Sequence, residues 1–354
     1  VDPRGAPVEA PVLPGARRAS PPCLGVVADF EDWLRRVDRL VPAEDRDLFV
    51  SPHRLIARFL TFAFHRATGR ARHDTDRDPT LRDPEFVGVV LDLVRLAAKR
   101  YFRLRVEGVE NVPARGPVLL VGNHNGGLLP TDGFFTALAI HDHHGPDRAV
   151  HALVHDFLFD DPTLEKYASR VGMLRASHDS AHGAFGRGGC VLVYPGSDYD
   201  AFRPFRDRDR VVLGGRKGFL KLALRAGVPI VPVLSAGTHE QLIVLSRGDR
   251  LARLVHAHKL ARTEVLPLVL AIPWGLSPGF VPYVPLPAQT TLAFGEPIRW
   301  PGLGPADADD PTVLEILYRE VESQMQAILD RLSAGRRFLV GRPVDRRPEG
   351  RGFG

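Results

Sequence analysis

Three short segments carry the side chains that acid-base chemistry uses. The first is Asn123-His124-Asn125-Gly126-Gly127, which runs on to Asp132. The second is Tyr194-Pro195-Gly196 with Asp200, and the third is Arg216-Lys217 at the mouth of an apolar helical stretch. A histidine directly after a buried strand, in a glycine-bearing loop and ahead of an aspartate at a helix start, suits general base work. The carboxylate accepts the Nδ1 proton, fixes the tautomer and stabilises imidazolium, leaving Nε2 to take a proton from a hydroxyl. The same residues also suit a structural role in which His124 caps the loop and Asp132 caps the helix. By themselves they leave both readings open.

Other groupings point elsewhere and are weaker. Gly275-Leu276-Ser277-Pro278-Gly279 has the GxSxG spacing of a nucleophile elbow, but the residue after that serine must donate a backbone N–H and Pro278 has none. His239-Glu240 opens an HExxH pattern, yet Ile243 stands where the second histidine belongs, so no zinc site is expected. His155 and Asp160 follow a different strand, where a core role is expected. His141-Asp142-His143-His144 and the pairs His151/His155 and His178/His182 read as solvated clusters, and no metal is assigned. Gly186-Arg187-Gly188-Gly189 precedes a strand, unlike a dinucleotide loop. The run Arg203–Arg210 alternates with aspartates and lacks aromatic interleaving, so it reads as a salt-bridged loop and no nucleic-acid partner is expected.

The elements that must hold these residues read as α/β. Unbroken apolar runs at 118–121, 150–154 (with His151 inside), 190–193 and 228–233 predict strands covered on both faces, hence a mostly parallel central sheet flanked by helices. In such sheets reactive groups collect beyond the carboxyl ends of the strands, which is where all but the Arg216-Lys217 pair fall. Helices are expected at 131–140, 162–171 and 216–226, the last closed by Gly227, with further strands at 265–272 and 290–294. A final helix should open with Asp310 as N-cap and Pro311 at its first position.

Ahead of the sheet, apolar positions at 55–63 and 87–103 fall at helical spacing among arginines and lysines. These two N-terminal amphipathic helices either pack on the sheet or dock on anionic lipid. Prolines 3, 7, 11, 14, 21 and 22 mark a disordered tail. The expected organisation is a largely disordered tail over 1–45, an amphipathic helical region over 46–104, a catalytic domain over 105–334 and a basic tail over 335–354.

Several of these segments, taken in order, resemble the PlsC-like lysophospholipid and glycerolipid acyltransferase superfamily, nearest its diacylglycerol acyltransferase branch. Val118 to Asp132 is similar to its first motif, Val193-Tyr194-Pro195-Gly196 with Asp200 to its proline-glycine motif, and Gly215-Arg216-Lys217-Gly218-Phe219 to the helix start of the diacylglycerol branch. Gly295-Glu296-Pro297-Ile298 is similar to a late strand-turn. The resemblance implies the PlsC-like fold and acyl transfer from acyl-CoA, or acyl carrier protein, to a glycerolipid hydroxyl, with no cofactor besides that co-substrate and no acyl-enzyme. It implies His124 as general base and Asp132 as its orienting partner. Asn123, Gly126, Gly127, Tyr194, Pro195, Gly196, Asp200, Arg216 and Lys217 are then expected around the substrates. Phe134, Phe135, Phe157, Leu158, Phe159 and Phe219 are candidate walls for the acyl chain.

Two departures bear on the acceptor. The family's common motif places aspartate five residues after histidine, against eight here, and Gly126 and Gly127 are expected to absorb the difference. The family's usual arginine for an acceptor phosphate is replaced by Tyr199. That favours a neutral acceptor such as diacylglycerol, unless Arg203, Arg206, Arg216 or Lys217 substitutes.

Composition sets the remaining bounds. The 354 residues, 44% hydrophobic and 25% charged, exclude collagen, coiled coil and wholesale disorder. Cys23 and Cys190 supply neither a disulfide framework nor a CxxC site, which fits a reducing compartment. The net charge of +5 suits an anionic partner. No run reaches the roughly 20 apolar residues of a membrane span and no signal peptide is recognised, so a peripheral enzyme on the cytoplasmic face of a membrane is expected. A lipid-ester hydrolase and a non-catalytic lipid-binding protein remain the alternatives.

Overall fold

The computed structural model describes residues 22–43, 45, 78–124, 127, 129–159, 162–254, 265–279, 281 and 283–342. The expected helix at 55–63, the outer parts of both tails, Gly126 and Asp160 lie outside the described residues. Helix α1 spans Pro22–Leu40 and belongs to a unit of its own, Val1–Pro42, apart from the unit Ala43–Gly354. Within the expected tail over 1–45, residues 22–40 are helical. After Pro22 no proline interrupts the helical spacing of Val26, Phe30, Leu34 and Val37.

In the second unit, α2 (Pro84–Arg100) is capped by Asp83, whose carboxylate accepts from the backbone N–H groups of Glu85 and Phe86. There follow β1 (Arg105–Glu107), β2 (Val118–Gly122), α3 (Thr131–His144), β3 (Val150–Val154), α4 (Pro162–Arg170), β4 (Met173–Arg175), α5 (His178–Gly186), β5 (Cys190–Val193), α6 (Ser197–Ala201), α7 (Gly218–Ala226), β6 (Ile230–Ala236), β7 (Ile243–Ser246), α8 (Asp249–Leu254), β8 (Leu268–Ala271), β9 (Gly275–Pro278), β10 (Thr291–Phe294) and α9 (Pro311–Ser333). Asp310 caps α9 and Pro311 opens it, while Gly227 ends α7 in the left-handed region, as the sequence predicts.

Seven strands form the main sheet in the order β1-β10-β6-β2-β5-β3-β4. The five from β6 to β4 run parallel, and β10 pairs antiparallel with β6. Every residue of β2 is buried because both faces are covered. Leu119 and Val121 join the core under α5, α7 and α9, whereas Val118 and Leu120 join the core under α2 and α3. The apolar stripe of α2 (Phe86, Val87, Val89, Leu91, Ala98) is thus spent on the core, and Arg95 pairs with Asp92 and Asp142. That packing favours the sheet-covering role for this helix over lipid docking.

Three outcomes differ from the pattern reading. Strand β6 runs on through Ser235 to Ala236, because Leu234, Ser235 and Ala236 pair with Ala293, Leu292 and Thr291 of β10. Helix α3 continues to His144, so the 141–144 cluster is its last turn instead of a loop, and Asp142 there bonds Arg95. The strand expected at 265–272 lies outside the main sheet. It is β8, central in an antiparallel sheet ordered β7-β8-β9.

Candidate active site

Strand β2 lies between β5 and β6, so the carboxyl ends of all three converge on one place. Asn123 ties two of them together: its Nδ2 donates to the Ser235 carbonyl at 3.2 Å and its Oδ1 accepts from the Ser235 N–H at 2.8 Å. The residue after β2 is thereby fixed against β6, and His124 leaves the sheet in a defined direction.

His124 Nδ1 lies 2.9 Å from Asp132 Oδ2. The carboxylate is buried, while the imidazole side chain keeps 19% of its exposure. Asp132 occupies the first turn of α3, where the unpaired N–H groups favour a negative charge, and its Oδ1 accepts from the Gly133 N–H at 3.0 Å. The Thr131 hydroxyl donates to Gln241 Oε1 at 2.8 Å, which anchors that turn to the chain beyond β6. The wide spacing between His124 and Asp132 therefore closes in space.

Tyr194, directly after β5, stacks on His124 with ring centroids 4.5 Å apart and planes inclined by 23°. Room for the phenol ring comes from Gly122, where a methyl group would collide with the ring carbons. Gly196 serves the adjoining turn in the same way: a methyl there would run into the Val212 carbonyl and Asp200. Gly127, in the left-handed region, lies against Leu242 and Phe202.

Asp200 sits one turn beyond Gly196, fully buried, and accepts a short hydrogen bond from the His124 backbone N–H. Its other oxygen accepts a short bond from Arg203 Nη1. Arg203, itself buried, also donates to the carbonyls of His124 (3.1 Å), Asp200 (3.1 Å), Asp207 (3.2 Å) and Arg208 (3.0 Å). Arg203 is thus a structural cation holding the histidine loop. Its part as a substitute phosphate ligand is corrected. The sequence signal was present in its position three residues after Asp200, but the loop of alternating charges masked it. His239 belongs to the same support: its Nε2–H donates to the Arg203 carbonyl at 2.7 Å, and burial beside Arg203 pushes its pKa well below the ordinary value.

The charges set the protonation states. Burial pulls His124 down, but the Asp132 carboxylate, its hydrogen bond, and the negative charges of Asp200 and Asp198 outweigh it, so the imidazole pKa is raised. Burial pushes Asp200 up to about 6 against the opposing pull of Arg203 and the His124 N–H. Burial and the nearby carboxylates hold the Tyr194 phenol well above its ordinary value, so it stays neutral.

The remaining candidates divide. Pro195 accepts from exposed Arg216 at 3.2 Å, and the same guanidinium lies 5.9 Å from the Tyr199 ring, which Arg247 approaches at 4.7 Å. Lys217 instead pairs with Glu315 of α9 at 2.8 Å. Phe135, Phe159 and Phe219 are buried; Phe135 and Phe219 pack in the two cores flanking the sheet, which removes them as acyl-chain walls, whereas Phe134 and Leu158 are half-buried. His151 is a buried residue of β3 with its pKa lowered to about 4 by burial and Arg82. Ser277 lies within β9 instead of at a strand-to-helix turn, and among the described residues no group of three or more potential ligands is placed to hold a metal ion.

The comparisons with known proteins show that the chain belongs to the PlsC-like acyltransferases. The acyltransferase family profile matches residues 103–236, which run from β1 to the end of β6. An uncharacterized protein of Mycobacterium tuberculosis is 37% identical over 286 residues, covering 80% of this chain and 76% of that protein. A Gallus gallus protein named DGAT1/2-independent enzyme synthesizing storage lipids is 26% identical over 228 residues, 63% of this chain and 58% of that protein. The crystal structure of the 1-acyl-sn-glycerophosphate acyltransferase PlsC from Thermotoga maritima matches with 20% identity and a TM-score of 0.40, covering 67% of this chain and 81% of that one.

Proposed function

We propose that the protein transfers a fatty acyl group from acyl-CoA, or acyl carrier protein, to the hydroxyl of a glycerolipid at a membrane surface. The observation that carries the reading is the 2.9 Å contact between His124 Nδ1 and the buried Asp132 carboxylate. With Nδ1 so engaged, Nε2 is the nitrogen that takes the proton of the acceptor hydroxyl. The hydroxyl oxygen forms its bond to the thioester carbonyl carbon, the carbon–sulfur bond breaks, and the departing thiolate takes the proton back from the imidazolium. Asp132 stabilises that imidazolium, and no group of the chain becomes acylated.

The acceptor is a neutral glycerolipid such as diacylglycerol. Tyr199 stands at the position of the family's phosphate-binding arginine, and Arg203 is consumed by the Asp200 carboxylate and four carbonyls. Arg216, exposed beside Pro195, is left to meet the donor's phosphates, whereas Lys217 is engaged by Glu315. The short His124–Asp132 distance also weighs against a decayed, purely lipid-binding site.

Release of CoA by the purified protein, with neutral and phosphorylated acceptors and with none, tests the reading. Acceptor-dependent release that is strongest with the neutral lipid and abolished by His124→Ala is the expected result. Release independent of acceptor would assign a hydrolase, and full activity of His124→Ala would remove the proposed base.

A further inference from the structure

The small sheet β7-β8-β9 is apolar on both faces, which an antiparallel sheet with one wet side is not. Its inner face follows the usual rule: Val244, Val269 and Ala271 are buried in a cluster with Phe202 and Leu242. Register puts Leu270 opposite Ile243 on one side and Leu276 on the other, all on the outer face. There Leu276 is 63% exposed and Leu270 47%, with Leu268 and Pro278 paired and exposed beside them. Ile272 and Trp274, the latter 47% exposed, stand at the β8–β9 turn, and Val284 bridges to Ile272. From Val265 to Gly295 the sequence has no charged residue. A continuous exposed apolar surface of this kind marks an interaction site.

The segment after β7 supplies the sign of the partner. Helix α8 exposes Leu251 and Leu254, the latter at 75%, together with Arg250 and Arg253. Its acid, Asp249, is held by Arg247 at 2.7 Å. Between α8 and the turn after α6 lies a recess of about 440 Å³ bordered by Arg206, Arg247 and Arg250 with Asp207, Asp249 and Ser246 of β7. None of its bordering residues is His124 or Asp132. An apolar platform with a tryptophan at its tip, followed two residues past β7 by a helix that exposes cationic side chains, has the chemistry of an anionic lipid interface.

We propose that the outer face of the β7-β8-β9 sheet, together with the exposed Arg250 and Arg253 of α8, docks on an anionic phospholipid bilayer. The inner face of the same sheet connects the platform to the candidate active site, since Leu242 and Phe202 lie against Gly127, three residues from His124. Docking therefore sets the membrane beside the catalytic loop, where a glycerolipid acceptor is drawn from it. That last consequence rests on the acyltransferase reading, whereas the docking itself does not.

Sedimentation of the full chain with phosphatidylcholine vesicles, with and without phosphatidylglycerol, tests the proposal. Wild type should pellet with the anionic vesicles. The pair Leu270→Glu and Leu276→Glu should lower partitioning at least about tenfold on both kinds of vesicle, and Arg250→Ala with Arg253→Ala should do so only on the anionic ones. Both variants should retain wild-type transfer to a short-chain acceptor presented without vesicles, so that loss of docking and failure of the acyltransferase reading are told apart. Unchanged sedimentation of both variants would overturn the proposal. So would a wild-type chain that ignores vesicles and forms a dimer that Leu276→Glu dissociates, because the face would then be a subunit interface.

Discussion

Replacing Asp132 with asparagine keeps the side-chain volume and removes one negative charge 2.9 Å from His124 Nδ1. At an effective dielectric of about 20 that charge is worth about 6 kcal/mol to an imidazolium at this distance. The asparagine amide recovers part of it by hydrogen bonding, and an amide N–H turned toward Nδ1 places the ring proton on Nε2, where it blocks base catalysis. A loss of about 10³- to 10⁴-fold in kcat follows. The pH profile carries a second, independent sign. In the wild type the carboxylate raises the imidazole pKa, so activity climbs as pH rises through that raised value and His124 becomes neutral. Without Asp132 its largest raising cause is gone while burial remains, so the acid limb moves to lower pH as the plateau falls. Asp200, pushed up to about 6, is raised partly by the Asp132 charge, so its own titration also moves down in the variant. Acceptor-dependent CoA release measured from about pH 5 to about pH 9 reads both effects. A variant within a few-fold of wild type, or one whose acid limb does not move, would refute the reasoning.

Folding stability should show the same linkage: the raised His124 pKa stabilises the fold fully below the unfolded imidazole value, and that increment disappears as pH rises through the raised value, so Asp132→Asn should flatten this part of a denaturation-versus-pH curve. Asp200→Ala leaves Arg203 buried without its carboxylate and should cost about 3–5 kcal/mol in denaturant unfolding. Adding Arg203→Met should recover part of that stability, and no recovery would mean that the guanidinium's bonds to the carbonyls matter more than the ion pair. Gly122→Ala drives a methyl into the Tyr194 ring, so stability should fall by about 1–3 kcal/mol and activity by about ten- to a hundredfold as the ring leaves its stack on His124. Wild-type kinetics in that variant would show that the stack does not position the imidazole.

The parts of the fold that were readable share a physical cause. Strands β2 and β5 announce themselves because burial on both faces demands unbroken apolar runs, and α9 because Asp310 and Pro311 must satisfy and begin its first turn. Strands β1, β4, β7 and β9 are three or four residues long, too short for a period to register, and β6 hid its last turn of pairing behind Ser235. Apart from Phe185, helix α5 is made entirely of glycine, alanine and polar residues and owes its place to the core beneath Ala181, Ala184 and Phe185.

For the candidate site, residue types and order placed His124, Asp132, Tyr194 and Gly196 beyond strand ends, because a strand's carboxyl end is fixed by its own run of apolar side chains, whereas the family resemblance marked them as functional. Partnership was not in the sequence. Whether Asp132 faces His124 depends on where α3 enters over the sheet, and the carboxylate reaches Nδ1 because Asn123 is tied to Ser235 of β6 and Thr131 to Gln241, contacts spanning more than a hundred residues. Arg203 likewise became a buried strut, not a ligand, only once the Asp200 carboxylate and four backbone carbonyls closed around it. Local pattern encodes which face of a strand or helix is buried. Charge pairing and the exposure of the β7-β8-β9 face depend on which distant segments pack together, so the tertiary structure alone decided them.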